Sequence, residues 1–326
     1  MILLRSPYII SVGEIDNLGF CILSLTIDGA TTPQYTITKN AYQFIDSNDD
    51  NQGFCSFDIA ELCRDYITNT YQDLAVTNTV DTVAISWSIL KYSSANPSVL
   101  IGSPVTGSDT GINGYTEFSE GLNAEITTDT ILLSGQKIYL PLNVRTTIFT
   151  FESGSIVNND VSSSATSISV LGGKGIEVER IRECKYRHFK VTFINKYGVL
   201  QDLYFFMKRI DSTSVTNENY KANVLNLLQA TPSYSTTSHV NKTFNFKGQE
   251  SFTMSTGYVD ESYNSYLQEL MLSEFIWVKR SAGSNSPVVP CVLNTQSFVK
   301  KTSLNDKLVE YTLEFSPSNQ IVNNVR

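Results

Sequence analysis

Residues 20–27 alternate between apolar and polar side chains, with Cys21, Leu23, Leu25 and Ile27 on one face. Residues 83–91 repeat the pattern with Val83, Ile85, Trp87 and Ile89. Period two with a single apolar face predicts strands of a sheet that is solvated on its other side. Between these runs Asp58 and Glu61 stand at capping-box spacing, and Ile59, Leu62, Cys63, Tyr66 and Ile67 fall at helical spacing, which predicts a short helix closing one end of a sandwich. Residues 93–120 are rich in Ser, Gly, Thr, Asn and Pro and read as a long polar loop. Strands resume at 130–133 and 137–142, with Ser134-Gly135 as a turn.

The polar stretch 153–169, with Asn158-Asn-Asp160 and Ser162-Ser-Ser-Ala-Thr166, reads as an inter-domain linker. Beyond it, two β-branched and aromatic runs flank Asn195-Lys-Tyr-Gly198, a hairpin signal because glycine accepts positive φ at the bend. Alternation places Phe189, Val191 and Phe193 on one face and Lys190, Thr192 and Ile194 on the other, a half-buried sheet. Residues 220–227 and 240–246 read as a long pair of strands, although a helical period also fits 220–228. Tyr263, Tyr266, Leu267, Leu270, Met271 and Phe275 form one stripe, predicting a helix over 261–276 with Asp260 as its N-cap. Pro287 and Pro290 mark a loop, and residues 307–315 form a last strand with Val309, Tyr311, Leu313 and Phe315 inward. The expected fold is mainly β, with two antiparallel β-sandwich-like domains and one or two short helices. Residues 1–150 form the first domain, 151–171 the linker and 172–326 the second.

Length and composition fit that picture: 326 residues suit two domains, and 41% hydrophobic content suffices to bury their cores. Charged residues make up only 17%, below the usual ~25%, and turn-forming polar residues fill the gap. The net charge of −8 gains nothing by counterion release from a phosphate backbone, so duplex DNA is a poor stable ligand. Five widely spaced cysteines without a CxxC predict buried free thiols rather than a disulfide scaffold or a zinc site. No basic segment precedes an apolar core at the N-terminus, and no run approaches the ~18 apolar residues of a bilayer span. The expectation is a soluble chain folded in a reducing cytoplasm.

Chemistry is sparse. Two histidines, His188 and His239, and the lack of a GxSxG elbow leave no recognisable nucleophilic triad. Leu171-Gly-Gly-Lys-Gly175 fails the phosphate-loop spacing and has glycine where Ser or Thr holds magnesium. Asp46-Ser-Asn-Asp-Asp-Asn51 alternates carboxylates as a calcium loop does, but has Asn51 where glycine is needed and Phe57 where the bidentate Glu belongs. Paired carboxylates for glycoside hydrolysis depend on a separation that only the fold sets. No catalytic residue, cofactor or metal is expected. One local charge anomaly remains: Arg180, Arg182, Lys185, Arg187 and Lys190 outnumber Glu177, Glu179 and Glu183 within an acidic chain.

Read in order, the hairpin at 190–206, Glu250-Ser-Phe-Thr253, Thr256-Gly-Tyr-Val-Asp-Glu261, the amphipathic segment ending Leu272-Ser-Glu274 and Lys301-Thr-Ser-Leu-Asn-Asp-Lys307 resemble virion structural proteins of crAss-like and related Bacteroidetes-infecting short-tailed phages. The resemblance covers residues 185–326. It touches the first half only through Arg5-Ser-Pro-Tyr8 and residues 58–66. It implies a non-enzymatic subunit of an oligomeric ring in the neck or tail, part of the DNA-ejection conduit, assembled in the bacterial host cytoplasm. Implied partners are further copies of itself, with twelvefold symmetry, and neighbouring portal, ring or tail proteins. DNA would meet the protein only in passing, and no membrane is involved. Arg180, Arg182, Lys185 and Arg187 are then candidate inter-subunit contacts. The N-terminal segment, the 93–120 loop and the 317–326 tail are candidate clasps. The rival expectation is a β-sandwich carbohydrate-binding or adhesion module at a tail tip or cell surface, with Tyr115 or Tyr234 as an aromatic platform.

Overall fold

The computed structural model describes residues 1–45, 51–75, 79–95, 97–135, 137–182, 185–227, 231–279, 286–302 and 309–321, the Asn51 side chain excepted. Strand takes 53% and helix 6%, so the chain is mainly β. It divides into two compact units, and neither is a continuous segment. Unit 1 comprises 1–182, 192–203 and 262–274; unit 2 comprises 183–191, 204–261 and 275–326.

In unit 1 the chain runs through β1 (Ile2–Leu3), β2 (Ile9–Asp16), β3 (Leu18–Ile27), β4 (Tyr35–Asn40), β5 (Tyr42–Ile45), β6 (Asn51–Asp58) and α1 (Ala60–Arg64). There follow β7 (Thr82–Ser93), β8 (Val105–Ile112), β9 (Thr130–Ile131), β10 (Lys137–Pro141), β11 (Thr146–Glu152), β12 (Ser155–Val161), β13 (Ser167–Val170) and β14 (Lys174–Ile181). A five-stranded sheet, β1-β8-β7-β3-β4, and a three-stranded sheet, β2-β6-β5, share one core. Cys21, Leu23, Leu25 and Ile27 of β3 and Val83, Ile85 and Ile89 of β7 are buried in it, as their alternation predicts, with Trp87 half-buried at its margin. Two smaller sheets, β10-β14-β13 and β12-β11-β9, complete unit 1. A second core gathers Leu3, Ile112, Leu132, Phe149, Phe151 and Val199. The pairs β1/β8 and β10/β14 are parallel.

The structure corrects several expectations here. The polar stretch 93–120 is not a loop throughout, for Val105–Ile112 forms β8, which pairs antiparallel with β7 along its whole length. The glycines of β8 make room rather than turns: a Cβ on Gly107 would fall 2.3 Å from Trp87 Cζ2, and one on Gly111 2.5 Å from Leu4 Cδ1. The linker at 151–171 is likewise structured. Ser153 and Gly154, at φ 49° and 87°, form a tight turn joining β11 to β12, and β13 pairs with β14. The Ser134-Gly135 break separates strands of different sheets, since β9 joins β11 and β10 joins β14. The helix predicted from Asp58 is only the five residues of α1. Asp58 Oδ1 still accepts from the Ala60 and Tyr8 amides, at 3.1 Å each.

The chain continues through β15 (Phe189–Ile194), β16 (Leu200–Phe205), β17 (Ile210–Lys221), β18 (Asn241–Val259), α2 (Tyr263–Met271), β19 (Ile276–Lys279), β20 (Val288–Leu293) and β21 (Val309–Pro317). The β15–β16 turn forms as the sequence predicts: Gly198 has φ 82° and donates to the Asn195 carbonyl at 3.0 Å. Its strands are buried on both faces, however, Lys190 and Thr192 included, so the half-solvated reading is corrected. The helix α2 is shorter than 261–276 and follows Ser262 rather than Asp260. Tyr263, Tyr266, Leu267 and Leu270 are its buried stripe, and Phe275 lies outside it. Arg5 Nη2 donates to the Leu272 carbonyl at its end, 2.6 Å away, where cationic hydrogen bonds satisfy orphan acceptors. A seven-stranded sheet is ordered β16-β15-β19-β20-β21-β18-β17, and its strands β17 to β21 belong to unit 2. Phe252 of β18 and Phe315 of β21 stack at 5.8 Å in its core, and Val309, Tyr311, Leu313 and Phe315 point inward as predicted. The region of Pro287 and Pro290 is strand β20, not a loop, and Pro290 is exposed within it.

Candidate interaction surfaces

The edge strand β17 is exposed over all twelve of its residues, and so is β18 from Asn241 to Lys247. The sheet proper ends near Gly248, whose carbonyl accepts from the Ile321 amide at 2.9 Å. Beyond that point, among the described residues, β17 and β18 pair with each other alone, from Thr216↔Lys247 to Lys221↔Asn241, as a two-stranded arm. A bulge lies between Thr216 and Glu218, where Asn245 takes φ 51° and donates to Glu218 Oε1 at 3.0 Å. Bulges sharpen strand twist and recur where a ribbon leaves its sheet.

The arm is apolar where nothing covers it. Tyr220 and Phe244 meet edge to face at 5.6 Å, 48% and 45% exposed. Val215, Leu225, Leu227 and Tyr234 are more exposed still. Between Lys221 and Lys242 the sequence contains no Asp, Glu, Lys or Arg. An isolated hairpin is at best marginally stable in water, and clustered exposed apolar side chains mark interaction surfaces. Of the strands expected at 220–227 and 240–246, the second is the start of β18, but β17 runs from Ile210 to Lys221, so 222–227 lies beyond it, and the arm was missed. The available signal was the long run around Val215 and Tyr220 without an alternating apolar face, bracketing a charge-free segment.

The predicted cationic run does not form one patch. Arg180 is turned inward: Nη1 donates to the Val144 and Pro141 carbonyls at 2.6 and 3.2 Å, Nε to Ala165 at 3.1 Å and Nη2 to Ser162 at 2.5 Å. That geometry removes it from the candidate contacts. Lys190 is buried, while Arg182, Lys185 and Arg187 are exposed. Lys185 and Arg187 join Lys208, Arg209 and Asp211 around an open groove of about 380 Å³ in unit 2, whose apolar wall includes Tyr186, Phe189 and Met207. Arg209 is fixed there, with Nη2 2.5 Å from Asp211 Oδ1 and its guanidinium 4.1 Å from the Phe252 ring centroid. Four cations against one carboxylate give the groove a positive field in an acidic chain, suited to an acidic partner surface.

The other expected clasps fare differently. The N-terminal segment is folded into unit 1, where β1 joins β8 and the Met1 amine lies 3.3 Å from Asp109 Oδ1, so it is not an arm. Residues 322–326 of the tail lie outside the described residues, as do 46–50 of the aspartate loop and Cys184. Tyr115 is half-buried beneath the Arg5 guanidinium at 5.0 Å, which removes it as an open platform, whereas Tyr234 is exposed at the arm tip.

In unit 1 burial raises the Glu269 carboxyl above the ordinary glutamate value, although the Lys196 amide and Ser134 hydroxyl donate to it at 2.9 and 2.6 Å. Burial works to raise Glu120 too, yet the Lys196 ammonium, 2.7 Å away, holds it below its usual range. In unit 2 burial lowers His188, whose ring lies 5.9 Å from that of Tyr204. His188 precedes β15, and His239 is exposed in the arm. The Leu171-Gly-Gly-Lys-Gly175 stretch spans the β13–β14 turn and opens β14. Cys21, Cys55, Cys63 and Cys291 are free and buried. Among the described residues no three His, Cys, Asp or Glu side chains gather as a metal site, and no helix is long and apolar enough to cross a membrane. Comparison of the chain with family models, with curated proteins and with solved structures returned no match.

Proposed function

We propose that this chain is a non-enzymatic structural subunit of an oligomeric ring in the neck or tail of a short-tailed phage, held to its neighbours by the β17–β18 arm. The arm is the observation that carries the reading, and the resemblance of residues 185–326 to phage ring proteins supplies the setting. Removing from water the exposed parts of Val215, Tyr220, Leu225, Leu227, Tyr234 and Phe244, at ~1 kcal/mol each, gains ~6 kcal/mol per subunit before ordering entropy is subtracted. A single such contact is weak. Around a closed ring each subunit is held twice, so modest contacts become durable. The net charge of −8 suits a wall past which DNA slides without adhering.

The test is solution mass by light scattering over a concentration series. It compares the wild type with a variant in which Asn-Gly joins Thr216 directly to Lys247, a pair opposite in register. The wild type is expected to grow toward a closed oligomer and the armless variant to stay monomeric with unchanged thermal unfolding. A wild type that remains monomeric to millimolar concentration would overturn the reading, and a glycan screen of the exposed aromatics would follow.

A further inference from the structure

We infer that the arm of one copy docks on the β5 edge of a second copy, and this rests on the ring reading above. β5 is the terminal strand of the β2-β6-β5 sheet, so its outer backbone edge is a pairing site for an added strand. The same edge is apolar: Tyr42 and Ile45 are 66% and 72% exposed, and the Tyr42 and Phe44 rings lie 5.2 and 6.3 Å from that of Phe54. Natural edge strands are usually blunted by charge or proline, and β5, Tyr-Gln-Phe-Ile, has neither.

Charge selects the occupant. The strands of the β2-β6-β5 sheet carry Glu14, Asp16 and Asp58 and contain no Lys or Arg. Glu14 and Asp16 are exposed, and Asp16 pairs in register with Gln52. Lys39 of β4 reaches this sheet at the Ser56 carbonyl, 2.7 Å away, nearer the opposite end of β6. The arm presents the complement: Lys221 and Lys242 flank its charge-free tip and Lys247 follows at its base, against one carboxylate, Glu218, which accepts from Asn245 at the bulge. An apolar tip between cations thus meets an apolar edge whose sheet carries carboxylates on β2, across the intervening β6. Donor and acceptor are different surfaces of one chain, so the contact is heterologous and propagates head to tail until the rotation closes it.

The closing experiment mixes two crippled chains. One carries Leu225→Ser and Leu227→Ser in the arm; the other carries Tyr42→Ser and Phe54→Ser at the edge. Each should be monomeric alone, while the equimolar mixture should give a 1:1 heterodimer of twice the chain mass that grows no further, since one intact interface remains. An edge variant that assembles like the wild type, or a mixture that stays monomeric, would overturn the docking site while leaving a self-associating wild type and the ring reading intact. A monomeric wild type would instead overturn the ring reading, and this inference with it. Charge exchange guards against misfolding as the cause. Glu14→Lys with Asp16→Lys should abolish assembly, and adding Lys221→Glu with Lys242→Glu should restore it. Failure of that rescue counts against the proposal.

Discussion

Replacing Arg180 by alanine is expected to loosen unit 1 without acting first on assembly. The guanidinium holds four backbone carbonyls from two tight turns, Pro141 and Val144 on one side and Ser162 and Ala165 on the other. Those turns flank the β11–β12 hairpin, so the side chain clamps both ends of one supersecondary unit to β14. A hydrogen bond from a charged donor contributes roughly 1.5–3 kcal/mol. Four would sum to ~6–12 kcal/mol, but the group is half-buried and water re-solvates the carbonyls that remain near the surface. A net loss of ~3 kcal/mol is the reasonable expectation. At ~2–4 °C per kcal/mol for a unit of this size, the unfolding midpoint should fall by ~6–12 °C. Trp87 lies in unit 1 and Trp277 in unit 2, so fluorescence in a Trp277→Phe background isolates the relevant transition. Arg180→Lys should recover less than half of the loss, because one nitrogen cannot reach what three reach. Arg182→Ala, an exposed neighbour, should change stability by less than ~0.5 kcal/mol. Coincident unfolding of Arg180→Ala and wild type would refute the clamp. Loss of assembly at unchanged stability would return Arg180 to the contact surface.

The remaining predictions concern other parts of the chain. Gly198→Ala should destabilise unit 1 by ~2–4 kcal/mol in urea melts, because φ is +82° and the new Cβ would lie 2.7 Å from the Asn113 carbonyl carbon and the Gly114 nitrogen. Folded Glu269 keeps its proton to higher pH than unfolded glutamate, so the native state binds more protons above the ordinary value of 4.5 and stability falls as pH rises through that window. Glu269→Gln should flatten that slope in urea midpoints measured between pH 4 and 7. Burial pushes the Cys21 and Cys63 thiols up to about 12, so iodoacetamide at pH 8 should leave both unmodified in the native protein and label them only after unfolding, as peptide mass mapping would report. Arg182→Glu with Arg187→Glu should reduce oligomer size if the groove receives an acidic neighbour, and an unchanged mass would discard that role for the groove.

The core of unit 1 was legible because β3 and β7 bury one face each, and a one-sided strand writes its period into the sequence. β8 was not, because a strand packed beneath Trp87, Leu4 and Ile85 needs glycine at 107 and 111, and glycine on the page reads as a turn. The polar β12 was missed for a related reason: Ser155, Asn158 and Asp160 are exposed and only Val161 is fully buried, so its pairing with β11 leaves little apolar trace. The arm hid in the opposite way, since strands exposed on both faces have no inward side to show. Arg180 was recognised as unusual, but its charge could not reveal that its acceptors are carbonyls 15 to 39 positions away. The β5 edge was obscured by the neighbouring aspartates, which drew the eye to metal binding rather than to Tyr42 and Phe54.

The discontinuous trace of unit 1 sets a timetable for synthesis. The unit holds residues up to 182, then waits for the 192–203 turn and finally for the 262–274 helix. At roughly 5–20 residues per second, about 5–20 s separate the emergence of residue 182 from that of 274. Throughout that interval Tyr139 and the Ser134 hydroxyl lack the contacts that Tyr263 and Glu269 of α2 supply. The charge-free arm tip emerges within the same interval, before its own unit is complete. A newly made chain therefore has both an unfinished core and an adhesive arm on display at once, and crowded neighbours on one messenger would meet in that state. Slower elongation across residues 183–274 should accordingly lower the soluble yield more than the same slowing elsewhere in the chain.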